Sequence, residues 1–445
     1  MKDQKPSRPL GFWMCVALVV GNMIGSGVYL LPATLAPYGW NAIFGWVLTI
    51  SGGLCLAFVF AQLARAMPKA GGPYAYAREA FGPAPAFLVA WSYWISIWVG
   101  NAAVATGSVS YLSVFFPEIA TTPGLHAIVT CGVIWILTAV NCRGAFLAGG
   151  VQLVSTIIKV IPLFAVMVLA IIVVLGLGDA APAARTPFAF ADLNVAGVTA
   201  AATLTLWALL GLESATVPAE KVNDPSRTIP RATMVGMLIA GVLYLFTCSA
   251  VILLLPADEV AASSAPFADF VSRYFDPRAG VLIAAFAALS GFGALNGWIL
   301  LQGELPYAMA KDGVFPRVLA KTNARGTPVR AHLVSSALLT FVVLMNYSRT
   351  MTEAFTFVLL LSTTSSLFMY LVTALSALAL QRKGVASSSS ALSVVAIVAA
   401  LYAMWTIYGA GGEAVKWGFA LLLAGAPVYL FVRWRNGKDA VPSAR

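Results

Sequence analysis

The chain has 445 residues, 60% of them apolar and only 10% charged, with 27 basic and 17 acidic residues and a net charge of +10. Its mean hydropathy of +0.87 leaves too little polar surface for a water-soluble protein of this length, so composition predicts a polytopic membrane protein. The basic excess then fits contact with the lipid bilayer and its anionic headgroups, and the absence of a basic domain excludes nucleic acid as a partner.

Apolar stretches long enough to cross a bilayer, about 20 residues each, follow one another along the chain. Twelve are predicted, at 12–36, 41–64, 85–116, 124–142, 148–176, 194–218, 230–256, 279–308, 330–347, 353–381, 391–409 and 414–433. They predict an all-α fold with one transmembrane domain over residues 1–445. The longest external loops, near 176–193 and 256–278, are expected to have no fold of their own.

An even number of spans places both chain ends on one side of the membrane. With the N-terminus inside, 21 of the 27 basic residues lie in cytoplasmic segments, five in external segments and one, Lys159, within a span. The positive-inside rule therefore predicts a multi-pass protein of the inner (plasma) membrane with both termini cytoplasmic.

The first span contains Gly25, Ser26 and Gly27 in succession, where a transmembrane helix is expected to unwind. Hydrocarbon offers no hydrogen bonds, so an unwound turn at this depth must line a cavity or meet a ligand. The half-helix that follows would direct its positive end at an anionic group such as a substrate carboxylate. The alternative is that these small residues only let helices pack closely.

The sixth span, from Trp207 to Ser214, places a glycine and a carboxylate inside an apolar helix. Interrupted helices at corresponding positions of two halves are typical of secondary transporters built from inverted repeats. The pair predicts a 5+5 inverted repeat with broken helices 1 and 6: repeat one at 12–176, repeat two at 194–381, and helices 11 and 12 at 391–433.

The sequence offers little for catalysis or for a cofactor. The five cysteines lack metal-ligand spacing, and no catalytic triad, HExxH or P-loop pattern occurs, so we expect no enzyme activity, no cofactor and no bound metal. A secondary transporter is favoured over a pump because no ATP-binding module is present. A channel or a transport-like sensor is a more remote alternative, since no filter-like loop or ring of charge is seen.

Six stretches carry a resemblance to a known family. They are 21–32 (GNMIGSGVYLLP), 71–78 (GGPYAYAR), 93–101 with its Tyr-Trp and Trp-Val-Gly-Asn, 207–214 (WALLGLES), 223–227 (NDPSR) and 310–316 (AKDGVFP). On these the chain resembles the amino acid–polyamine–organocation (APC) superfamily over nearly its whole length. Within it, the chain is similar to the basic amino acid/polyamine antiporters, and among them to the arginine/agmatine antiporters.

The resemblance implies a substrate site between the two broken helices. The substrate carboxylate would be held by Ser26 and the neighbouring main chain of Met23, Ile24, Gly25 and Gly27. The α-ammonium group would be accepted by carbonyls around Trp207 and Leu210. A cationic head group would lie under Trp298 in a cation–π contact, with neutral polar contacts from Ser96, Asn101 and Ser362. Without the resemblance, Trp298 could equally be a packing residue.

The resemblance also implies gates and shows departures. Tyr93, Glu213 and Tyr370 would form an inner gate and Trp207 would help to close an outer one. Glu213 is a candidate proton sensor, or else a brace for the helix break. Ile97 and Val104 stand where the arginine/agmatine antiporters have a small thiol and a methionine near the pocket for the substrate side chain. The wall of this pocket would then be narrower and more apolar, which suits neutral or shorter substrates.

Lys159 is the larger departure, because the arginine/agmatine antiporters lack a lysine there. A lysine inside a span is expensive and by default functional. We expect it to join the fifth span to carbonyls near residues 21–24 or to hydroxyls near 362–366, and the similarity to related carriers implies that it takes the place of a bound sodium ion. The alternative is that its side chain extends toward the membrane surface.

The sequence thus predicts a secondary-active amino acid transporter, an antiporter that exchanges arginine or another basic amino acid for its decarboxylated amine by alternating access. A proton-coupled symporter or exporter of neutral amino acids is the alternative. A homodimer is left open.

Overall fold

The computed structural model describes residues 10–68, 71–143, 149–177, 186–214, 216 and 222–439, with side chains throughout these ranges except at 26, 149–158 and 436–439. In this part of the chain, α-helices and short connections account for the fold, and the only β-pairing is an isolated bridge between Leu10 and Val222. The all-α prediction is confirmed for these residues.

The helices are numbered in chain order. They are α1 (Phe12–Met23), α2 (Ser26–Leu35), α3 (Trp40–Ala66), α4 (Pro73–Phe81), α5 (Pro83–Leu112), α6 (Glu118–Thr121), α7 (Leu125–Cys142), α8 (Gly149–Leu175), α9 (Val195–Trp207), α10 (Pro225–Leu254), α11 (Ala257–Ala262), α12 (Pro266–Tyr274), α13 (Pro277–Lys311), α14 (Val329–Met345), α15 (Met351–Arg382), α16 (Ser390–Gly409), α17 (Gly411–Leu423) and α18 (Gly425–Asp439).

Eight helical segments in the described ranges are long and apolar enough to cross a membrane, and α1 with α2 forms a ninth that is bent by 47°. Shorter apolar helices lie where the fifth, sixth and ninth spans are predicted: Lys159–Leu175, Val195–Trp207 and Val329–Met345. The chain is therefore a multi-pass membrane protein by its helices, while the count of twelve spans stays a prediction.

The helices pack in pairs that correspond between the two halves. Three contacts join equivalent helices of the two halves: α3 packs on α10, α5 on α13 and α7 on α14. Two further contacts have a counterpart in the other half. The contact of α1 with α10 corresponds to that of α9 with α3, and the contact of α15 with α5 corresponds to that of α13 with α8. Two of these contacts are close because a glycine lies there: Gly45 faces Ala201, and Gly236 faces Val19, with no room for a Cβ. A 5+5 repeat requires this pattern, although the repeat boundaries stay a prediction.

The segment 256–278, which is predicted to be external, is folded, and this corrects the expectation that it lacks a fold of its own. α11 and α12 lie in it, and α12 buries Phe267 and Phe270 completely. The Phe267 ring packs edge-on against Tyr29 with ring centres 5.5 Å apart, and its main-chain N–H donates to the Tyr111 hydroxyl over 3.2 Å. The apolar spacing 267, 270, 271, 274 is that of an amphipathic helix and could have predicted α12.

Candidate substrate site between two helix breaks

The first helix break lies where the sequence predicts it. α1 ends at Met23, Ile24 and Gly25 are extended, and α2 begins at Ser26. Met23, Gly25 and Gly27 line a cavity of about 50 Å³, which holds only a few water molecules. The Ile24 side chain is buried away from it, and the Ser26 side chain lies outside the described part of the chain. The main-chain N–H groups that open α2 therefore adjoin the cavity.

The second break is longer. α9 ends at Trp207, and residues 208–214 form turns in which Gly211 has φ +104°, a conformation that favours glycine. The N–H of Leu210 donates to the Trp207 carbonyl over 3.1 Å, whereas the Leu210 carbonyl accepts no main-chain hydrogen bond from a described residue. Trp207, Leu210 and Glu213 line the same cavity as the first break. A free carbonyl of this kind can accept a hydrogen bond from an ammonium group.

One face of α5 forms the long wall of the cavity. The residues from α5 that line it are Tyr93, Ser96, Ile97, Gly100, Asn101 and Val104, at helical spacing. Across the cavity, α13 contributes Trp298, and α15 contributes Ser362 and Ser366. Glu213 is the one acidic side chain among the described residues that line the cavity, and no lysine, arginine or histidine lines it.

Three polar side chains on this wall, those of Ser96, Ser362 and Trp298, donate their hydrogens to the protein. The Ser96 hydroxyl donates to the Tyr93 carbonyl over 2.8 Å, and the Ser362 hydroxyl donates to the Ser96 carbonyl over 2.8 Å. The Trp298 ring donates through Nε1 to the Asn22 carbonyl over 3.3 Å. Lone pairs and the faces of rings therefore remain for a substrate, and both attract a cation or a hydrogen-bond donor.

Trp207 closes one end of the cavity. A Cβ at Gly27 would lie 2.0 Å from atoms of the Trp207 ring, so the ring rests directly on the glycine backbone. The ring also meets Phe355 edge-on, with centres 5.5 Å apart. Beyond it, toward the predicted external side, lies a second cavity of about 630 Å³ lined by Thr34, Leu204 and other residues. We refer to Trp207, Gly27 and Phe355 as the outer seal.

A hydrogen-bonded cluster lies at another part of the cavity wall, which Tyr93 and Glu213 line. The Tyr370 hydroxyl donates to Glu213 Oε2 over 2.7 Å, and both residues are buried. The Tyr93 ring lies beside the same carboxylate, although its hydroxyl has no hydrogen-bond partner among the described residues. The structure thus brings together the three residues predicted for the inner gate. We refer to Tyr93, Glu213 and Tyr370 as the inner seal.

Lys159 is buried, with 3% of its surface exposed, and its Nζ donates to the Gly21 carbonyl at 3.1 Å. This carbonyl lies in the last turn of α1, where the sequence analysis expects the contact. The Lys159 carbonyl in turn accepts from the Tyr29 hydroxyl on α2 over 2.9 Å. Lys159 therefore contacts both halves of the broken first span and does not extend to the membrane surface.

Sequence reasoning missed Asn22 and Ser366, which line the cavity, and Gln302, which lies behind it and bonds to Asn101. Gln302 follows Trp298 by four residues on α13, so the two share a helix face. A buried amide one turn from a predicted site residue in an apolar span was a usable signal. Among the described residues, no group of three or more His, Cys, Asp or Glu side chains could hold a metal ion.

Comparison with known proteins agrees with this geometry. The amino acid permease family model matches residues 10–428. The chain is 35% identical over 344 residues to the cadaverine/lysine antiporter of Escherichia coli (strain K12), covering 76% of each protein. It is 33% identical over 468 residues to a putative arginine/ornithine antiporter of Bacillus subtilis (strain 168), covering 97% of this chain and 99% of the relative.

A third relative is the putrescine transporter PotE of Haemophilus influenzae, which is 30% identical over 435 residues and covers 96% of this chain and 98% of its own length. All three relatives are named as transporters or antiporters of basic amino acids or polyamines, and none is named as an enzyme. The chain belongs to the amino acid permease family of the APC superfamily, with the basic amino acid/polyamine antiporters, and is a membrane transporter rather than an enzyme.

Proposed function

We propose that this chain is an inner-membrane antiporter, with both termini cytoplasmic, that exchanges a basic amino acid for its decarboxylated amine by alternating access. One observation carries the proposal. Between the N-terminus of α2 and the Leu210 carbonyl, which suit the carboxylate and α-ammonium groups, Trp298, Ser96 and Ser362 offer a head group a ring face and hydrogen-bond acceptors.

The part of the wall that Trp298, Ser96 and Ser362 form carries no charge, and this suits exchange. Burying a full ion pair between a substrate cation and a protein carboxylate would cost free energy on both charges and would slow release. The Trp298 face and the lone pairs of Ser96 and Ser362 attract a cation without a formal counter-charge. The amino acid and its amine share this head group, so each can occupy the same subsite in turn.

Arginine for agmatine is the pair we propose first, and lysine for cadaverine is the pair that the relative from Escherichia coli suggests. Ile97 and Val104 both line the cavity and make its wall apolar. An apolar wall also suits shorter substrates, and the lysine and cadaverine pair is therefore kept beside arginine and agmatine. The same apolar wall keeps a second candidate function, the proton-coupled transport of neutral amino acids.

Counterflow in proteoliposomes tests the proposal. Labelled arginine, lysine or ornithine should enter vesicles loaded with agmatine, cadaverine or putrescine and should barely enter empty vesicles. The pair with the fastest counterflow identifies the substrate. Uptake of a neutral amino acid into empty vesicles under an inward proton gradient, without counterflow of any basic amino acid, would overturn the exchange proposal in favour of the second candidate.

A further inference from the structure

A row of four buried polar side chains runs from the cavity into the protein, each on a different helix. Asn101 on α5 lines the cavity and donates through Nδ2 to Gln302 Oε1 on α13 over 2.8 Å. Gln302 Nε2 donates to the Ser336 hydroxyl on α14 over 2.8 Å. Ser336 lies 2.7 Å from the Thr138 hydroxyl on α7, and all four residues are at most 1% exposed.

The far end of this row fixes the direction in which every hydrogen points. Thr138 Oγ1 lies 2.7 Å from the carbonyl of Ile134, which can only accept. A hydroxyl has one hydrogen, so when Thr138 donates to Ile134 it must accept from Ser336. Ser336 has then used its own hydrogen and must accept from Gln302 Nε2, which turns Gln302 Oε1 toward Asn101.

The opposite direction makes one hydrogen bond fewer. With both amides turned over, Thr138 would donate to Ser336, Ser336 to Gln302 and Gln302 to Asn101, and nothing in the row would donate to the Ile134 carbonyl. The observed direction makes four hydrogen bonds, at Ile134, Thr138, Ser336 and Gln302, against three for the reverse. Buried polar groups favour the arrangement that makes more hydrogen bonds.

We propose that Gln302, Ser336 and Thr138 are positioning residues that hold the Asn101 amide with its nitrogen turned away from the cavity, leaving Oδ1 to face the substrate. Asn101 would otherwise be ambiguous, since its amide carries an acceptor and a donor of nearly equal size. Held this way, it accepts a hydrogen bond from a substrate head group that donates, such as a guanidinium or an ammonium group. It disfavours a head group that presents a carbonyl oxygen, because that oxygen would meet Oδ1.

This inference rests on the proposed function and deepens it, because it names the residues that make the site select a donating head group. A merely structural role for the row would change stability or the rate for all substrates alike. The distinguishing measurement is therefore a ratio of affinities between two substrates of one shape. Arginine and citrulline form such a pair, since citrulline carries a carbonyl oxygen in place of one guanidinium nitrogen.

The experiment measures how well unlabelled arginine and unlabelled citrulline inhibit counterflow of labelled arginine into amine-loaded vesicles. Thr138→Val removes the hydroxyl at the far end at nearly constant volume, and Gln302→Leu removes the link to Asn101. Thr130→Val is the matched control, because Thr130 lies on the same helix, is also buried and, among the described residues, bonds through its side chain to the His126 carbonyl of its own helix alone. Ser336→Ala is a second variant if Gln302→Leu is poorly expressed.

We expect the preference for arginine over citrulline to fall by about fivefold in Thr138→Val, the equivalent of one hydrogen bond, and by at least as much in Gln302→Leu. Thr130→Val should keep the wild-type ratio. Equal loss of affinity for both ligands, or an unchanged ratio in the variants, would overturn the inference while leaving exchange intact. Failure of the proposed function shows earlier, as an absence of basic amino acid counterflow in wild-type vesicles.

Discussion

The outer and inner seals lie at one cavity and differ in chemistry. At the outer seal, the apolar ring of Trp207 lies on the bare backbone of Gly27 and against Phe355. At the inner seal, the Tyr370 hydroxyl donates to the buried carboxylate of Glu213. The first depends on shape and on the absence of a Cβ, the second on hydrogen bonding and charge.

The difference in chemistry between the two seals determines how each of them can be controlled. Contacts between rings and backbone carry no titratable group, so the outer seal should respond to substrate and to steric change but little to pH. A carboxylate that accepts a hydrogen bond changes its strength as an acceptor when it is protonated. Sensitivity to pH is therefore expected at the inner seal.

The largest effect is expected from Gly27→Ala. The added Cβ would overlap the Trp207 ring at 2.0 Å, and overpacking of this kind costs about 1–3 kcal/mol, or roughly 5- to 150-fold in the population of the closed state. Counterflow should fall by a similar factor at every pH. Gly297→Ala, where a Cβ meets no atom within 4 Å, is the matched control, and equal activity of the two variants would place the outer seal elsewhere.

Lys159→Ala should have the next largest effect, because Lys159 supports the broken first span on which both seals depend. Loss of its hydrogen bond to the Gly21 carbonyl should cost about 1.5–3 kcal/mol, or roughly tenfold or more in exchange rate. The variant should still be expressed. Lys416→Ala removes the same charge from an exposed position on α17 and should be neutral.

The dependence of the exchange rate on the cation in the buffer also tests the role of Lys159. Wild-type exchange should be equal in sodium and in choline chloride, since the ammonium group occupies the place proposed for an ion. Sodium should not restore the Lys159→Ala variant. Wild-type exchange that required sodium would contradict this role.

Trp298→Ala probes the space between the seals and should change affinity more than closure. Removal of a cation–π contact in a desolvated site costs about 1–2 kcal/mol, roughly tenfold in apparent affinity for the basic amino acid. Trp298→Phe should retain more affinity because it keeps a ring face. Trp417→Ala, at a ring that is 52% exposed, is the control; normal affinity in Trp298→Ala would exclude a role for this ring in binding.

The helix breaks were predictable because they are local. Gly25 and Gly27 within an apolar run conflict with a continuous helix, and the structure ends α1 and begins α2 at that point. The sixth span was predicted to be interrupted for the same reason, and α9 ends at Trp207. Hydrophobic length alone placed the helices to within a few residues, since each span must match the same bilayer thickness.

The polar row behind Asn101 was not predictable in the same way. Thr138, Gln302 and Ser336 are separated by more than 30 residues from one another along the chain, and nothing in their local sequence shows that their helices meet. The resemblance named Asn101 but carried no information on which way its amide faces. Direction along a hydrogen-bonded row is set by the atom at its end, here the Ile134 carbonyl, and becomes visible only when the helices are packed.

The smallest and most specific effect is expected at the inner seal, from Glu213→Gln. When Glu213 is ionised, it accepts a charge-assisted hydrogen bond from Tyr370. Protonation weakens this bond, so the seal should loosen and exchange should become faster as the pH falls from about 8 to about 5.

The glutamine side chain is neutral at every pH and still accepts from Tyr370, so Glu213→Gln should show the fast rate throughout and a flat pH profile. Tyr370→Phe removes the donor and should flatten the profile in the same way, with a change of about fivefold in rate at pH 8, as expected for one hydrogen bond. Gly27→Ala should keep the wild-type dependence on pH at its lower rate, because it alters only the outer seal. A pH profile that survives Glu213→Gln unchanged would make Glu213 a brace for the helix break and would assign the pH response to another part of the molecule.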